Sequence, residues 1–173
     1  MIFDKMQTSS ILQTLEPEMY FLYIPASNQE NIPIFDAGEN DLKYNLFSEN
    51  KFYGEDRLND AKQITLALSS SVVDTASGNE LLRGTIGQIF YLDDSSVNLT
   101  NSETDTTNSS NILGLVYARL SDYWKLSGYT EFNTNKGYGE KNQIRVSFKR
   151  PYGKQNQIFN SSYRFSRGTQ EEV

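Results

Sequence analysis

The chain has 173 residues, with 16 Lys and Arg against 22 Asp and Glu, for a formal net charge of −6. That balance argues against general nucleic-acid binding. There is no Cys and no His, which excludes disulfides, thiolate zinc sites, Ser-His triads and His-ligated metals.

Aromatics make up 13% of the chain while the hydrophobic fraction is only 37%, a combination that fits sheets wet on one face. No apolar run approaches the roughly 18 residues of a membrane helix. Low hydropathy still leaves a β-barrel open, because only alternate residues of its strands face lipid. The start, Met1-Ile2-Phe3-Asp4-Lys5, has no basic segment followed by an apolar core and does not read as a signal peptide. An outer-membrane reading therefore expects a leader upstream of Met1.

Residues 1–12 read as the end of one strand and a turn. Gln13 to Ile24 is the first complete strand, with Met19, Phe21 and Tyr23 on one face and Tyr20, Leu22 and Ile24 on the other. Pro17 cannot donate to a ladder and belongs near the strand start or at a bulge. Residues 25–60 form a long polar connection with apolar anchors Ile32, Ile34, Phe35, Leu46, Phe47 and Phe52. Connections of that length are usually functional or disordered.

The stretch from Asp56 to Leu92 is organised as a long hairpin: two runs alternating in polarity around a Ser-Gly-Asn turn. Such runs exceed the usual five or six residues of a soluble strand and match the roughly nine to eleven that cross an outer membrane. Residues 93–111 are polar and low in complexity, and read as an exposed, mobile loop. Strands follow at 112–120, at Trp124 to Thr134, at Gln143 to Lys149 and at Gln157 to Phe165. The cleanest alternation sets Ile144, Val146 and Phe148 against Gln143, Arg145, Ser147 and Lys149.

The predicted fold is all-β: an antiparallel meander of about seven long strands, making a curved open sheet. Connections 25–60, 93–111 and 135–141 form a longer set; 74–80, 121–123 and 150–155 form a shorter one. Short turns on one rim and long loops on the other is the outer-membrane barrel pattern.

Several motifs carry a family resemblance: Q-T-L-E-P-E before a Tyr-rich strand, N-I-P-I-F-D at 31–36, F-Y-G-E-D-R-L-N-D-A-K-Q-I-T at 52–65, G-Q-I-F-Y-L at 87–92 and S-D-Y-W at 121–124. Together they resemble the LPS-assembly outer-membrane protein family, LptD, also called organic solvent tolerance protein. The resemblance implies a very large barrel of about two dozen strands, preceded by a periplasmic jelly roll, with an LptE-like plug lipoprotein in its lumen. It implies insertion of lipopolysaccharide into the outer leaflet of the bacterial outer membrane, and contact with periplasmic LPS-bridge proteins through the missing N-terminal domain. Residues 1–173 match a middle segment of the C-terminal barrel domain. The family's lateral seam joins the barrel ends and is expected outside this segment.

Three sets of residues stand out. Arg57 is expected to pair with Asp56 or Asp60 and lock the long loop over the barrel mouth. Arg83, Arg119, Lys125, Glu131, Arg145, Lys149 and Arg164 fall on faces expected to point into the lumen. Trp124, Leu126, Phe132, Ile144, Val146 and Phe148 are expected to face lipid, with Trp124, Tyr20, Tyr23, Tyr91 and Tyr123 as interfacial aromatics. A solvated turn before a strand and ordinary water-facing positions are the plain alternatives for the first two sets. The core of a soluble sandwich is the alternative for the aromatics.

Asp93, Asp94, Glu103 and Asp105 do not match a calcium-loop spacing. No catalytic constellation and no cofactor site is found, so an enzyme is not expected. The competing functional readings are a soluble or surface β-sandwich that binds glycans and a fragment of a generic porin.

Overall fold

Period-two alternation dominates the chain, and the backbone follows it. The structure, a computed structural model, describes residues 2–8, 10–29, 31–93, 95–97, 99, 108–153 and 155–167. Among the described residues there are ten strands: β1 (Phe3–Thr8), β2 (Ile11–Ile24), β3 (Gly38–Glu39), β4 (Phe52–Tyr53), β5 (Ala61–Asp74), β6 (Asn79–Tyr91), β7 (Ile112–Arg119), β8 (Trp124–Asn133), β9 (Tyr138–Tyr152) and β10 (Gln155–Ser166). The hydrogen-bonded order of the main sheet follows the chain, β1-β2-β5-β6-β7-β8-β9-β10, and is open, ending on β1 and β10. The recorded pairs are antiparallel.

The sheet has eight strands where the sequence predicts about seven. The extra one is β1, whose residues read only as a strand end. The chain forms two compact units, one of 1–17, 67–86 and 112–173, the other of 18–66 and 87–111. Strands β2, β5 and β6 contribute residues to both.

Three further departures have local causes. The long connection contains β3, β4 and α1 (Leu42–Asn45), a single helical turn. These segments are too short to carry a readable period. Residues 135–141 are not a long loop, since β9 starts at Tyr138 and the connection closes as a tight turn. There the Asn133 carboxamide oxygen accepts the N–H groups of Asn135 and Lys136 at 3.0 and 2.9 Å. The Gly137 N–H reaches the Asn133 carbonyl at 2.8 Å, and Gly137 takes φ +73°.

Of the connection 93–111, expected to be a mobile loop, residues 94, 98 and 100–107 lie outside the described residues, and its last residues bond to β6. The Tyr91 N–H donates to the Asn108 carbonyl and the Ser110 N–H to the Ile89 carbonyl, both at 2.9 Å.

Burial is inverted relative to an ordinary domain. Along β5 the buried residues are Ala61, Gln63, Thr65, Ala67, Ser69 and Ser71, while Lys62, Leu66 and Leu68 are exposed. The covered face is small and polar, and the open face is largely aliphatic. Covered polar groups need partners. Ser69 and Thr85 share a hydrogen bond at 2.8 Å, and the Ser71 hydroxyl donates to Glu80 at 2.9 Å.

In the unit holding β7–β10, the registers place Trp124, Phe148 and Phe159 in one cross-strand row. Leu126, Val146 and Ser161 form the next row, followed by Gly128, Ile144 and Tyr163. Trp124 and Phe148 have ring centroids 4.8 Å apart. These side chains are not sealed between layers, for Ile144 is 54% exposed and Phe159 likewise. A sandwich would hide Ile144, Val146 and Phe148 under a second sheet. Among the described residues the only other sheet is the two-stranded β3-β4.

The Asn133–Gly137 turn generates a test. Gly137→Ala forces a Cβ into a left-handed conformation that costs roughly 1–2 kcal/mol, with no compensating contact because nothing lies within 4 Å of the new atom. A lower unfolding midpoint of the intact protein in denaturant is expected. An unchanged midpoint would show that this turn does not hold the β8–β9 hairpin.

Candidate functional site

The long connection of 25–60 is held together by polar side chains serving backbone groups. Asn45 donates to the carbonyls of Asn40 and Lys51 at 3.0 and 3.2 Å. Asn50 donates to the Arg57 carbonyl at 3.0 Å and accepts from the N–H of Asn59 at 3.2 Å. Asn59 accepts from the Lys51 N–H at 2.8 Å. Gln29 brackets Leu58, donating to its carbonyl at 2.8 Å and accepting its N–H at 3.1 Å. Of the six apolar anchors only Leu46 and Phe52 are buried; Ile32, Phe35 and Phe47 are exposed. Phe47 meets the Tyr20 ring edge-on at 6.3 Å.

Arg57 is buried, but its partners are not the expected carboxylates. Its two terminal nitrogens donate to the carbonyls of Gln29 at 2.6 Å and Ile32 at 3.4 Å. Asp56 is occupied elsewhere, accepting the N–H groups of Phe35 and Asp36 at 2.8 and 2.9 Å. Those donors hold the Asp56 carboxyl below its usual range, with a smaller contribution from the Arg57 charge. Asp36 shifts the other way. Its hydrogen bond to Asp56 and the charge of that neighbour raise it, so Asp36 takes up a proton first as pH falls. Gly54 permits this approach: its φ is +83°, and a Cβ there would stand 2.7 Å from the Asp36 carbonyl oxygen.

Asp60 makes a second knot. One carboxylate oxygen accepts from the Ser95 hydroxyl at 2.7 Å and the Val97 N–H at 2.9 Å. The other accepts from the Ser96 N–H and the Ser96 hydroxyl, both at 2.8 Å. Partial burial disfavours the charge, but the Ser96 and Val97 amides and the Ser95 and Ser96 hydroxyls outweigh it and hold the carboxyl at about 2. The sequence did not signal this pairing. Asp56, Arg57 and Asp60 are adjacent in the chain, yet each fastens a different piece of the two loops. Of the acidic residues weighed as a calcium loop, Asp94, Glu103 and Asp105 lie outside the described residues. Asp93 stands 4.0 Å from Lys62.

On the sheet, Arg119, Lys125, Arg145 and Arg164 share one face of β7–β10, opposite the row of Trp124, Leu126 and Phe132. Lys149 alternates onto that same face. Trp124, Phe132 and Ile144 are exposed, while Leu126, Val146 and Phe148 are partly covered. Arg119 donates to the Asn79 carboxamide oxygen at 2.6 Å, and Arg83 pairs with Glu80 at 2.7 Å. Glu131 differs from the other charges. It is almost inaccessible, accepts from the Tyr129 hydroxyl and lies 3.9 Å from Lys141.

Two tests follow from the knots. Because the folded carboxyl of Asp60 titrates below its unfolded value, its stabilisation is complete above about pH 4 and is lost as pH falls through about 2. Protection of the Ser96 and Val97 amides, referred to the intrinsic exchange rate at each pH, should fall across that window. Asp60→Asn puts an NH2 group against donors, so it should speed exchange roughly tenfold at neutral pH and flatten the acid dependence. Unaltered exchange in the variant would remove the knot. Arg57→Ala leaves two loop carbonyls unserved, so protease cleavage within 25–60 should become faster; equal cleavage would mean that the guanidinium does not hold the loop.

A family model described as LPS transport system D matches residues 2–172. The LPS-assembly protein LptD of Nitrosococcus oceani is 36% identical over 176 residues, covering 99% of this chain and 23% of that protein. The LPS-assembly protein LptD of Nitrosomonas eutropha is 37% identical, over 95% of this chain and 22% of that protein. That of Neisseria meningitidis serogroup B (strain MC58) is 33% identical, over 94% and 20%. The chain thus spans between 20% and 23% of the length of these relatives. With the match running almost end to end, this chain belongs to the LptD family.

Proposed function

We propose that this chain is part of the wall of an outer-membrane β-barrel that assembles lipopolysaccharide into the outer leaflet. The observation that carries the reading is the inverted burial of the strands. Small and polar side chains are covered along β5, while large apolar ones such as Ile144, Phe159 and Met19 stand open. In water such a surface is a liability; in a bilayer it is the surface that lipid requires. No helix among the described residues is long and apolar enough to cross a membrane. The relatives' shared name, LPS-assembly protein, supports the cargo. The same evidence favours this reading over a glycan-binding sandwich and over a generic porin.

In this reading Trp124, Leu126, Phe132, Ile144, Val146 and Phe148 face lipid, and Arg83, Arg119, Lys125, Glu131, Arg145, Lys149 and Arg164 face the lumen. The chain does no bond chemistry. It shapes a polar passage for an anionic glycolipid and offers its inner face to a plug lipoprotein. The knots at Arg57 and Asp60 keep the connections between strands in one conformation and so hold the loop over the barrel mouth. Periplasmic bridge proteins would engage parts of the full-length protein outside this segment.

A paired substitution in the full-length protein tests the reading. Val146→Arg places a charge in the lipid-facing row and should cost roughly 2–4 kcal/mol of barrel stability if near the bilayer midplane. Gln143→Arg, on the same strand and facing the other way, should be tolerated. The measurement is the folded, heat-modifiable species in outer membranes, together with lipopolysaccharide at the cell surface. Equal tolerance of both variants would sink the assignment of faces.

A further inference from the structure

The registers of β7–β10 arrange the polar face as a lattice. One row reads Arg119, Lys125, Ser147, Asn160, and the next reads Tyr117, Ser127, Arg145, Ser162. Lys149 precedes the first row on β9, opposite Ile158. Lys125 therefore has Arg119 directly across the ladder, with Cβ atoms about 5 Å apart, and Arg145 and Lys149 on its two diagonals at about 7–8 Å. In these rows no carboxylate shares the face. Asp122 lies in the adjoining turn. It touches Arg119 at 3.4 Å with 83% of its side chain open to solvent.

Like charges directly opposite each other destabilise a strand pair. The arrangement is also opposite in sign to the chain, whose net charge is −6. Among the described residues Lys125, Arg145 and Lys149 are exposed and enter no recorded ion pair. Hydroxyls alternate with them, Ser147 beside Lys125 and Ser127 beside Arg145.

We propose that Arg119, Lys125, Arg145 and Lys149, with the Ser127 and Ser147 hydroxyls, form a phosphate-binding cluster at the 120–123 turn end of the polar face. A phosphate monoester carries close to two charges and three acceptor oxygens. It would take the guanidinium fork of Arg145, the ammonium groups of Lys125 and Lys149, and the neighbouring hydroxyls together. A carboxylate offers one charge and two oxygens, and would leave most of these donors unserved. Binding relieves the Arg119–Lys125 repulsion. That the phosphate is carried by a lipid rests on the barrel reading above; the anion chemistry does not.

The test places a photoreactive phenylalanine at Tyr117, opposite Ser127 in the same row and not itself a ligand, in the full-length protein, purified with its partners. The probes are lipid A bearing both phosphates and the same lipid with its phosphates removed. Phosphorylated lipid should label at least tenfold more strongly, and the labelling should fall with ionic strength. Lys125→Gln with Arg145→Gln should reduce it at least tenfold, while Lys125→Arg with Arg145→Lys retains most of it. Heat-modifiable mobility reports folding of every variant.

Inorganic phosphate is the second arm. If it slows tryptic cleavage at Lys125 and Arg145 while phosphorylated lipid does not label, the cluster stands and its ligand is soluble. Equal labelling by both lipids without protection by inorganic phosphate would overturn the proposal, as would adducts to a polypeptide in place of lipid. Failure of the barrel reading looks different, because the protein would then not reach the membrane at all.

Discussion

A strand has two faces and cannot choose which residues go to which, because successive side chains point in opposite directions. This single stereochemical constraint organises the molecule. On β5 it sends Ala, Gln, Thr and Ser to the covered face and Lys, Leu and Leu to the open one. On β8 and β9 it separates Trp124, Leu126, Ile144, Val146 and Phe148 from Lys125, Ser127, Arg145 and Ser147. A soluble domain would turn the first set inward. Here apolar area is left open in rows, the distribution that the proposed barrel wall would turn to lipid.

The covered polar face then needs another way of being satisfied. Small residues let neighbouring strands approach, and hydrogen bonds such as Ser69–Thr85 and Ser71–Glu80 serve part of the covered face, although the fully buried Thr65 hydroxyl finds no partner among the described residues. Glu131 is the extreme case, a nearly inaccessible carboxylate held by the Tyr129 hydroxyl beside Lys141. Cohesion in this sheet comes from backbone ladders and polar pairs more than from an oily centre.

The connections obey the same economy. A loop of 36 residues between β2 and β5 carries dozens of backbone donors and acceptors, too many to leave unpaired where the chain folds on itself. Asn45, Asn50, Asn59 and Gln29 supply amide groups that imitate backbone partners, and Arg57 gathers two carbonyls at once. Asp60 does the converse, collecting four donors from the neighbouring connection. Carboxylates and a guanidinium that would pair on an open surface are therefore divided among separate tasks.

How much of this was legible in the chain follows from which interactions are local. The facing of Ile144, Val146 and Phe148 against Arg145, Ser147 and Lys149 is set by neighbours one residue apart, so alternation alone determined it. The family resemblance was readable in contiguous motifs for the same reason. The tight turn before Tyr138 was missed because one glycine with positive φ shortens a stretch that otherwise reads as loop. The partners of Asp56, Arg57 and Asp60 lie about 20 to 37 residues away, and β1, too short to show a period, was recognised only through its pairing with β2. Side-chain direction on a strand is written by local stereochemistry. Which strands lie side by side, in what register, and which carbonyl a buried guanidinium meets depend on where the chain returns, and only the tertiary structure decides that.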